Sequence, residues 1–197
     1  MKHPYSFPYH IILASNSPRR QMLLKEAGIN FEVRVIPTGE TYPDYLERDK
    51  VSMYIAAKKA EAFSFDDLPE NSLIITADTM VWLGAKSIGK PKDGAEAMAM
   101  LQQLSGNTHL VSTGVCLKTR DKVRIFNVET AVTFRTLTSE EIVFYVNTYK
   151  PFDKAGAYGI QEWIGFIGVE KIMGSYTNVI GLPVQKLYME LKRFCEP

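Results

Sequence analysis

The chain has 197 residues, 46% hydrophobic and 23% charged, which is enough for a sizeable domain with a packed core. Twenty-three Lys and Arg against 22 Asp and Glu leave a formal charge of +1. That balance excludes the bulk attraction of a nucleic-acid polymer and confines any anion recognition to a local site. The two cysteines, Cys116 and Cys195, stand far apart in no ligand-like spacing, and Cys116 reads as core filler within a strand-like run. Residues 1–5 lead into Ser6, Pro8 and His10 without a signal-like apolar segment, and no run approaches membrane-spanning length. The expectation is a cytoplasmic protein with no membrane contact.

In chain order, Ile11-Ile12-Leu13-Ala14 reads as a buried strand, followed by Ser15-Asn16-Ser17-Pro18-Arg19-Arg20. Met22, Leu23 and Leu24 then open a helix ending near Gly28, with Ser17 as its cap and Pro18 at its first position. Two readings of this turn stand side by side: a capped helix with two solvated arginines, or a receptor for phosphate oxygens. Residues 31–36 alternate as a second strand and empty into a polar loop carrying Glu40, either a site carboxylate or a solvated acid. Val51, Tyr54, Ile55, Lys58 and Ala62 follow helical spacing, which puts Lys59 off the apolar face as a solvated charge.

Residues 73–77 form a continuous apolar run suited to a strand buried on both faces, and it delivers Asp78 and Thr79. An isolated buried carboxylate is costly, so Asp78 is paired, metal-bound, or at a strand end. Gly84 to Ser87 read as a hairpin turn; Lys90, between Gly89 and Pro91, is a presented ammonium or a surface-turn residue. Asp93 caps a helix with Ala95, Met98, Ala99 and Leu101 apolar and Gly106 beyond its end. Residues 109–117 and 123–135 look like a long antiparallel pair around residues 119–122, in a lobe of sheet separate from the first strands. Thr138-Ser139-Glu140-Glu141 is a capping box for a helix bearing Ile142, Val143, Tyr145 and Val146, ended by Lys150-Pro151. Residues 153–168, dense in glycine and aromatics, fit neither a clean helix nor a clean strand. Gln161 there either reads a planar amide–carbonyl edge or closes a structural turn. Pro183 starts a last helix with Val184, Leu187, Tyr188 and Leu191.

Cations suited to phosphates, together with carboxylates suited to a hard divalent metal, are the parts of phosphoanhydride chemistry. Neither a Walker loop nor a GxGxxG turn occurs, and HExxH, Cys/His zinc spacing and GxSxG are also missing. A carboxylate pair of glycosidase type, from Glu40 and Asp78, fits the surrounding cations less well than phosphate chemistry does.

Ser15 to Arg20, Glu40, Lys59, Ala77-Asp78-Thr79, Gly89-Lys90-Pro91, Leu104-Ser105-Gly106, 153–161 and 174–183 recur in the order of one family. The chain resembles the Maf (septum-formation) family of nucleoside triphosphate pyrophosphatases nearly end to end. That resemblance implies a single domain over residues 1–197 of the Maf/inosine-triphosphate-pyrophosphatase type: a mixed, twisted α/β sheet flanked by helices, with two lobes around a cleft. It implies hydrolysis of a nucleoside triphosphate to the monophosphate and pyrophosphate with Mg²⁺ or Mn²⁺ as cofactor, and a house-cleaning role linked to septum formation. Asp78 matches the family's proton acceptor; on physical grounds Glu40 and Asp78, as metal ligands with Glu40 as second catalytic carboxylate, would polarise the α-phosphate and orient an attacking water. Arg19, Thr79 and Gln161 match positions tied to substrate choice, and Gln161 points to the branch acting on dTTP and UTP. On physical grounds Arg19, Lys59 and Lys90 would hold the triphosphate, with Ser15 and Arg20 as further substrate-binding candidates at the turn. A homodimer is left open, and the competing class is a nucleotide-binding regulator of division with little turnover.

Overall fold

The computed structural model describes residues 6–196, so the reading of residues 1–5 lies outside the described residues. Alternating and continuous apolar runs become the strands β1 (His10–Leu13), β2 (Glu32–Val33), β3 (Ser72–Leu83), β4 (Lys86–Ile88), β5 (Thr108–Lys118), β6 (Val123–Phe134) and β7 (Val169–Met173). Between and after them lie the helices α1 (Pro18–Glu26), α2 (Arg48–Glu61), α3 (Gly94–Leu104), α4 (Ser139–Tyr149), α5 (Trp163–Gly168), α6 (Tyr176–Ile180) and α7 (Val184–Phe194). The strands make one mixed sheet in the order β2-β1-β3-β5-β6-β7, with β4 on β3. The expected separate lobe of sheet for β5 and β6 is therefore corrected: β5 bonds directly to β3. Strand alternation reports which face is buried and carries no information about the neighbouring strand. No helix among the described residues is long and apolar enough to cross a membrane.

The chain divides into two compact units, one holding residues up to Asp78, Thr113–Val128 and everything from Gly181 onward. In this unit β1 runs parallel to both β2 and β3, with Ile12 opposite Glu32 and Ile74. Ile12, Ala14, Phe63 and Ile74 form a buried cluster. The second strand is shorter than the sequence suggested, two residues in place of six. The face of α2 also differs from expectation. Val51, Ser52, Ile55, Ala56 and Ala60 are buried, whereas Tyr54 is exposed. The cause is Gly114 on β5: a Cβ there would stand 2.3 Å from the Met53 backbone nitrogen. The helix backbone rests directly on the strand at Ser52 and Met53. Thr76 Oγ donates to the Ala56 carbonyl at 2.6 Å, and Ala56 and Ala60 close over Cys116. Cys116 is core filler as expected, its thiol pushed up to about 11 by burial, and both cysteines are free.

The other unit holds Thr79–Ser112 and Glu129–Ile180. Its β3–β4 hairpin turns at Gly84 and Ala85, with positive φ only at Gly84 (60°), as a two-residue turn of this kind requires. Asp93 caps α3 by accepting from the Glu96 N–H at 2.9 Å. The buried residues of α3 are Ala97, Met100, Leu101 and Leu104, a face turned from the expected Ala95, Met98 and Ala99. The capping box of Thr138 and Glu141 is formed, and Arg135 reinforces it with a two-pronged bond to Glu141 at 2.7 and 3.0 Å. Lys150 ends α4 in the left-handed region. α5 and β7, which sequence patterns did not mark, occupy the glycine- and aromatic-rich stretch and its continuation.

His109 is buried between aromatic rings, stacked on Phe134, and its Nε2 lies 2.7 Å from the Tyr158 hydroxyl. Burial pushes the imidazole pKa down to about 4, against an ordinary value of 6.5. Below pH 6.5 the unfolded chain takes up a proton that the folded one refuses, so stability is full above pH 6.5 and is lost as pH falls toward 4. Between pH 7 and 5 the unfolding free energy should fall by roughly 2 kcal/mol from this group. Urea titrations at both values check it, and His109→Gln should flatten the difference.

Candidate active site

The candidate residues fall into two sets, one in each unit. In the first unit the strand β1 ends at Leu13 and the chain turns at Ser15 into α1. Ser17 caps that helix, its hydroxyl accepting from the Arg20 N–H at 3.4 Å, and Pro18 takes the first turn. Ser15 is buried, and its Oγ accepts the Ser17 N–H at 3.2 Å and an Arg20 N–H at 3.5 Å. Gln21 closes the turn by donating to the Ser15 carbonyl at 3.1 Å.

Arg20 links three segments of this unit. Its Nε donates to the Gly181 carbonyl at 2.8 Å, and Nη1 donates to the Ala77 carbonyl, also at 2.8 Å. Ala77 immediately precedes Asp78, so the guanidinium grips the backbone that delivers that carboxylate. Desolvation lowers the Arg20 pKa, the Asp78 charge opposes that fall, and Arg19 and Glu40 also act on it. Arg19, Arg20, Glu40 and Asp78 thus share one electrostatic neighbourhood, and the guanidinium stays charged throughout.

Asp78 lies inside the continuous strand β3, not at a strand end, and is 6% exposed. Of the three ways to keep such a group, this structure uses pairing. Lys59 Nζ donates to Asp78 Oδ1 at 2.8 Å and to Glu40 Oε1 at 2.8 Å. The lysine side chain is only 17% exposed, which corrects its reading as a solvated charge. Ala56 and Ala60 keep α2 close to the sheet, so a lysine flanking that small-residue face reaches the carboxylate on β3. Glu40 is exposed on its loop and leans on the same ammonium.

Two carboxylates converging on one cation are suited to a divalent metal as well as to an ammonium. No group of three or more His, Cys, Asp or Glu with metal-holding geometry occurs among the described residues. Glu40 and Asp78 are the two carboxylates that meet at this point, both on the Lys59 ammonium.

The second set comprises Thr79, Lys90 and Gln161. Thr79 is half-buried on β3 directly after Asp78, and Lys90 is exposed in the loop after β4. The Gly156 N–H donates to the Gly89 carbonyl at 3.0 Å, which ties the Lys90 loop to the segment leading to Gln161. Gly156 and Ala157 both adopt positive φ (74° and 56°), so this segment is a fixed turn and not a helix. Gln161 is half-buried, and its Oε1 is a buried acceptor without a protein partner. Lys154 and Asp153 are ion-paired at 2.8 Å. Sequence reasoning passed over Tyr145 and Glu162, which surround the turn; no local pattern marks them, since Tyr145 reads as one more apolar position of α4.

The fold and these residues define a mixed α/β protein in which two carboxylates, two arginines and a lysine act on one another around the end of the first parallel strands. Within that class the chain belongs to the Maf-like protein family, whose model matches residues 10–194. It is 56% identical over 186 residues to a dTTP/UTP pyrophosphatase of Phocaeicola vulgatus, a match covering 94% of this chain and 96% of the relative. It is similarly 56% identical over 187 residues to a dTTP/UTP pyrophosphatase of Parabacteroides distasonis, covering 94% and 96%. A dTTP/UTP pyrophosphatase of Flavobacterium psychrophilum is 53% identical over 181 residues, covering 92% of each chain.

Arg20 Nε and Nη1 both donate to backbone carbonyls. Arg20→Lys keeps the charge and loses the fork, so denaturant titration of the substrate-free protein should show a loss of about 2–3 kcal/mol.

Proposed function

We propose that this protein is a nucleoside triphosphate pyrophosphatase that hydrolyses dTTP and UTP to the monophosphate and pyrophosphate. The observation that carries the reading is the convergence of Glu40 and Asp78 on Lys59, inside a chain half or more identical to dTTP/UTP pyrophosphatases. In the reaction a water oxygen bonds to the α-phosphorus, the bond from that phosphorus to the bridging oxygen breaks, and pyrophosphate departs. Asp78 takes the proton of the attacking water. Its Oδ1 is anchored by Lys59, which leaves Oδ2 outside that bond.

Arg19 and Lys59 neutralise triphosphate charge, with the ammonium of Lys90 serving the same end. Ser15 contributes by shaping the turn, and Arg20 by holding Ala77 and with it the approach to Asp78. Glu40 and Asp78 would hold Mg²⁺ or Mn²⁺ together with substrate oxygens. Such an ion supplies charge neutralisation and polarisation of the α-phosphate when bound. Gln161 reads the base: its amide offers an acceptor for the N3–H of thymine or uracil and a donor for O4. The setting we propose is the cytoplasm, where removal of unwanted triphosphates keeps nucleotide pools clean and could bear on septum formation.

Pyrophosphate release across a panel of triphosphates with Mg²⁺ tests the activity, and turnover should be highest on dTTP and UTP. Tight binding without turnover would instead make the protein a nucleotide-binding regulator. On the same assay Asp78→Asn should lower kcat by about 10²–10⁴-fold, the range for a lost general base, while nucleotide binding by calorimetry persists. Retained turnover would remove Asp78 from that role.

Gln161→Glu replaces the amide donor by a carboxylate facing O4. The kcat/KM for UTP should drop by about tenfold or more, the equivalent of one lost buried hydrogen bond. An unchanged preference for pyrimidine triphosphates would count against base reading by this residue.

A further inference from the structure

Residues 153–162 carry more ionisable and hydroxyl groups than a turn needs, and those groups bond to one another. Lys154 Nζ donates to Asp153 Oδ1 at 2.8 Å and lies 3.1 Å from Glu162 Oε1. The other Glu162 oxygen, Oε2, accepts from the hydroxyl of Tyr145 on α4. The same tyrosine oxygen accepts the Gly159 N–H at 3.0 Å. The Glu162 N–H returns to the Gly159 carbonyl at 3.0 Å. A chain of bonds thus runs from an ammonium through a carboxylate and a phenol to the peptide two residues before Gln161.

The surroundings are built for this chain. A Cβ on Gly159 would stand 2.7 Å from Glu162 Cδ and 2.9 and 3.0 Å from its oxygens, so only glycine admits the carboxylate against the backbone. A Cβ on Gly165 would stand 1.9 Å from the Ile160 carbonyl oxygen, so α5 packs directly on the peptide before Gln161. Tyr145 is fully buried, and burial together with Glu162 raises its pKa, so the phenol keeps the proton that it donates. Lys154 is 8% exposed with its ammonium engaged by two carboxylates, an arrangement that serves the turn better than a phosphate.

We infer that Lys154, Glu162 and Tyr145 are positioning residues for base selection, holding the Gly159–Ile160 backbone so that Gln161 presents its amide in one orientation. Free to rotate end for end, a glutamine amide serves a uracil edge and a cytosine edge alike, because it carries a donor and an acceptor. Discrimination requires the amide to be held, and holding it requires a rigid backbone on both sides of the residue. Glu162 follows Gln161 and Gly159 precedes it by two; both are fixed by the Tyr145 hydroxyl. The inference rests on Gln161 being the base-reading residue.

The test measures kcat/KM for UTP and CTP, which share the sugar and triphosphate and differ at the base edge. Tyr145→Phe removes one oxygen and keeps the packing, and it should cut the UTP-to-CTP ratio by about fivefold or more through KM, with kcat nearly unchanged. Glu162→Ala should do the same, and Glu162→Gln, which retains an acceptor for the tyrosine hydroxyl, should restore most of the ratio. With Gln161→Ala already present, Tyr145→Phe should change the ratio no further, since both act through one group. If Gln161→Ala shifts the ratio while Tyr145→Phe and Glu162→Ala lower only the melting temperature, the relay is structural and the inference fails alone. If Gln161→Ala itself leaves the ratio unmoved, the base-reading assignment fails and takes the inference with it.

Discussion

A carboxylate in the middle of a twelve-residue strand has to be compensated, and Asp78 sets that requirement for its surroundings. Its strand is buried on either side of it, from Ser72 to Ala77 and again at Val81 and Trp82. The energetic risk is asymmetric: a buried ion pair adds little net stability, whereas a buried charge deprived of its partner costs about 3–5 kcal/mol. Lys59 meets the need by reaching from α2, and Arg20 meets it a second way by clamping the Ala77 carbonyl. The closeness of α2 follows from Gly114, and the clamp follows from the cap at Ser17 that starts α1 in the right place. Helix start, helix face and strand glycine are thus all conditions on one buried acid.

The same arrangement places charges of both signs around one point of the first unit. The lysine that neutralises Glu40 and Asp78 occupies the point on which a divalent ion would also be drawn. The ammonium holds the geometry of the two carboxylates in the protein as it stands. Glu40, half exposed on its loop, can adjust; Asp78, locked in the sheet, cannot. The two carboxylates on one ammonium thus differ in setting, one on an exposed loop and one inside the sheet.

In the second unit the same economy of contacts recurs around glycine. Gly156 in the left-handed region turns the chain toward Gly89, and Gly159 leaves room for the Glu162 carboxylate. The groups from Lys154 to Tyr145 form one connected polar network. Such networks specify a conformation when all members are satisfied. The Gly156 N–H joins the exposed Lys90 loop to it by donating to the Gly89 carbonyl, so the ammonium and the amide are presented from one connected frame.

The local signals were legible because their physics is local. Ser17 with Pro18, Asp93, and Thr138 with Glu141 each announced a helix start, since a side-chain oxygen two or three residues away satisfies the first free N–H groups. The run at 73–77 announced a buried strand, and Asp78 within apolar surroundings announced a carboxylate needing a partner. The order of motifs along the chain identified the family. Tertiary structure alone decided the rest. It chose Lys59 as the partner of Asp78, because α2 turns its small residues to the sheet only where Gly114 leaves the strand bare. It made Arg20 a clamp on two carbonyls, joined β5 to β3, and brought Tyr145 to Glu162 from seventeen residues away. Periodicity reports which side of an element is apolar, but a charge finds its partner through distances that exist only once the chain has packed.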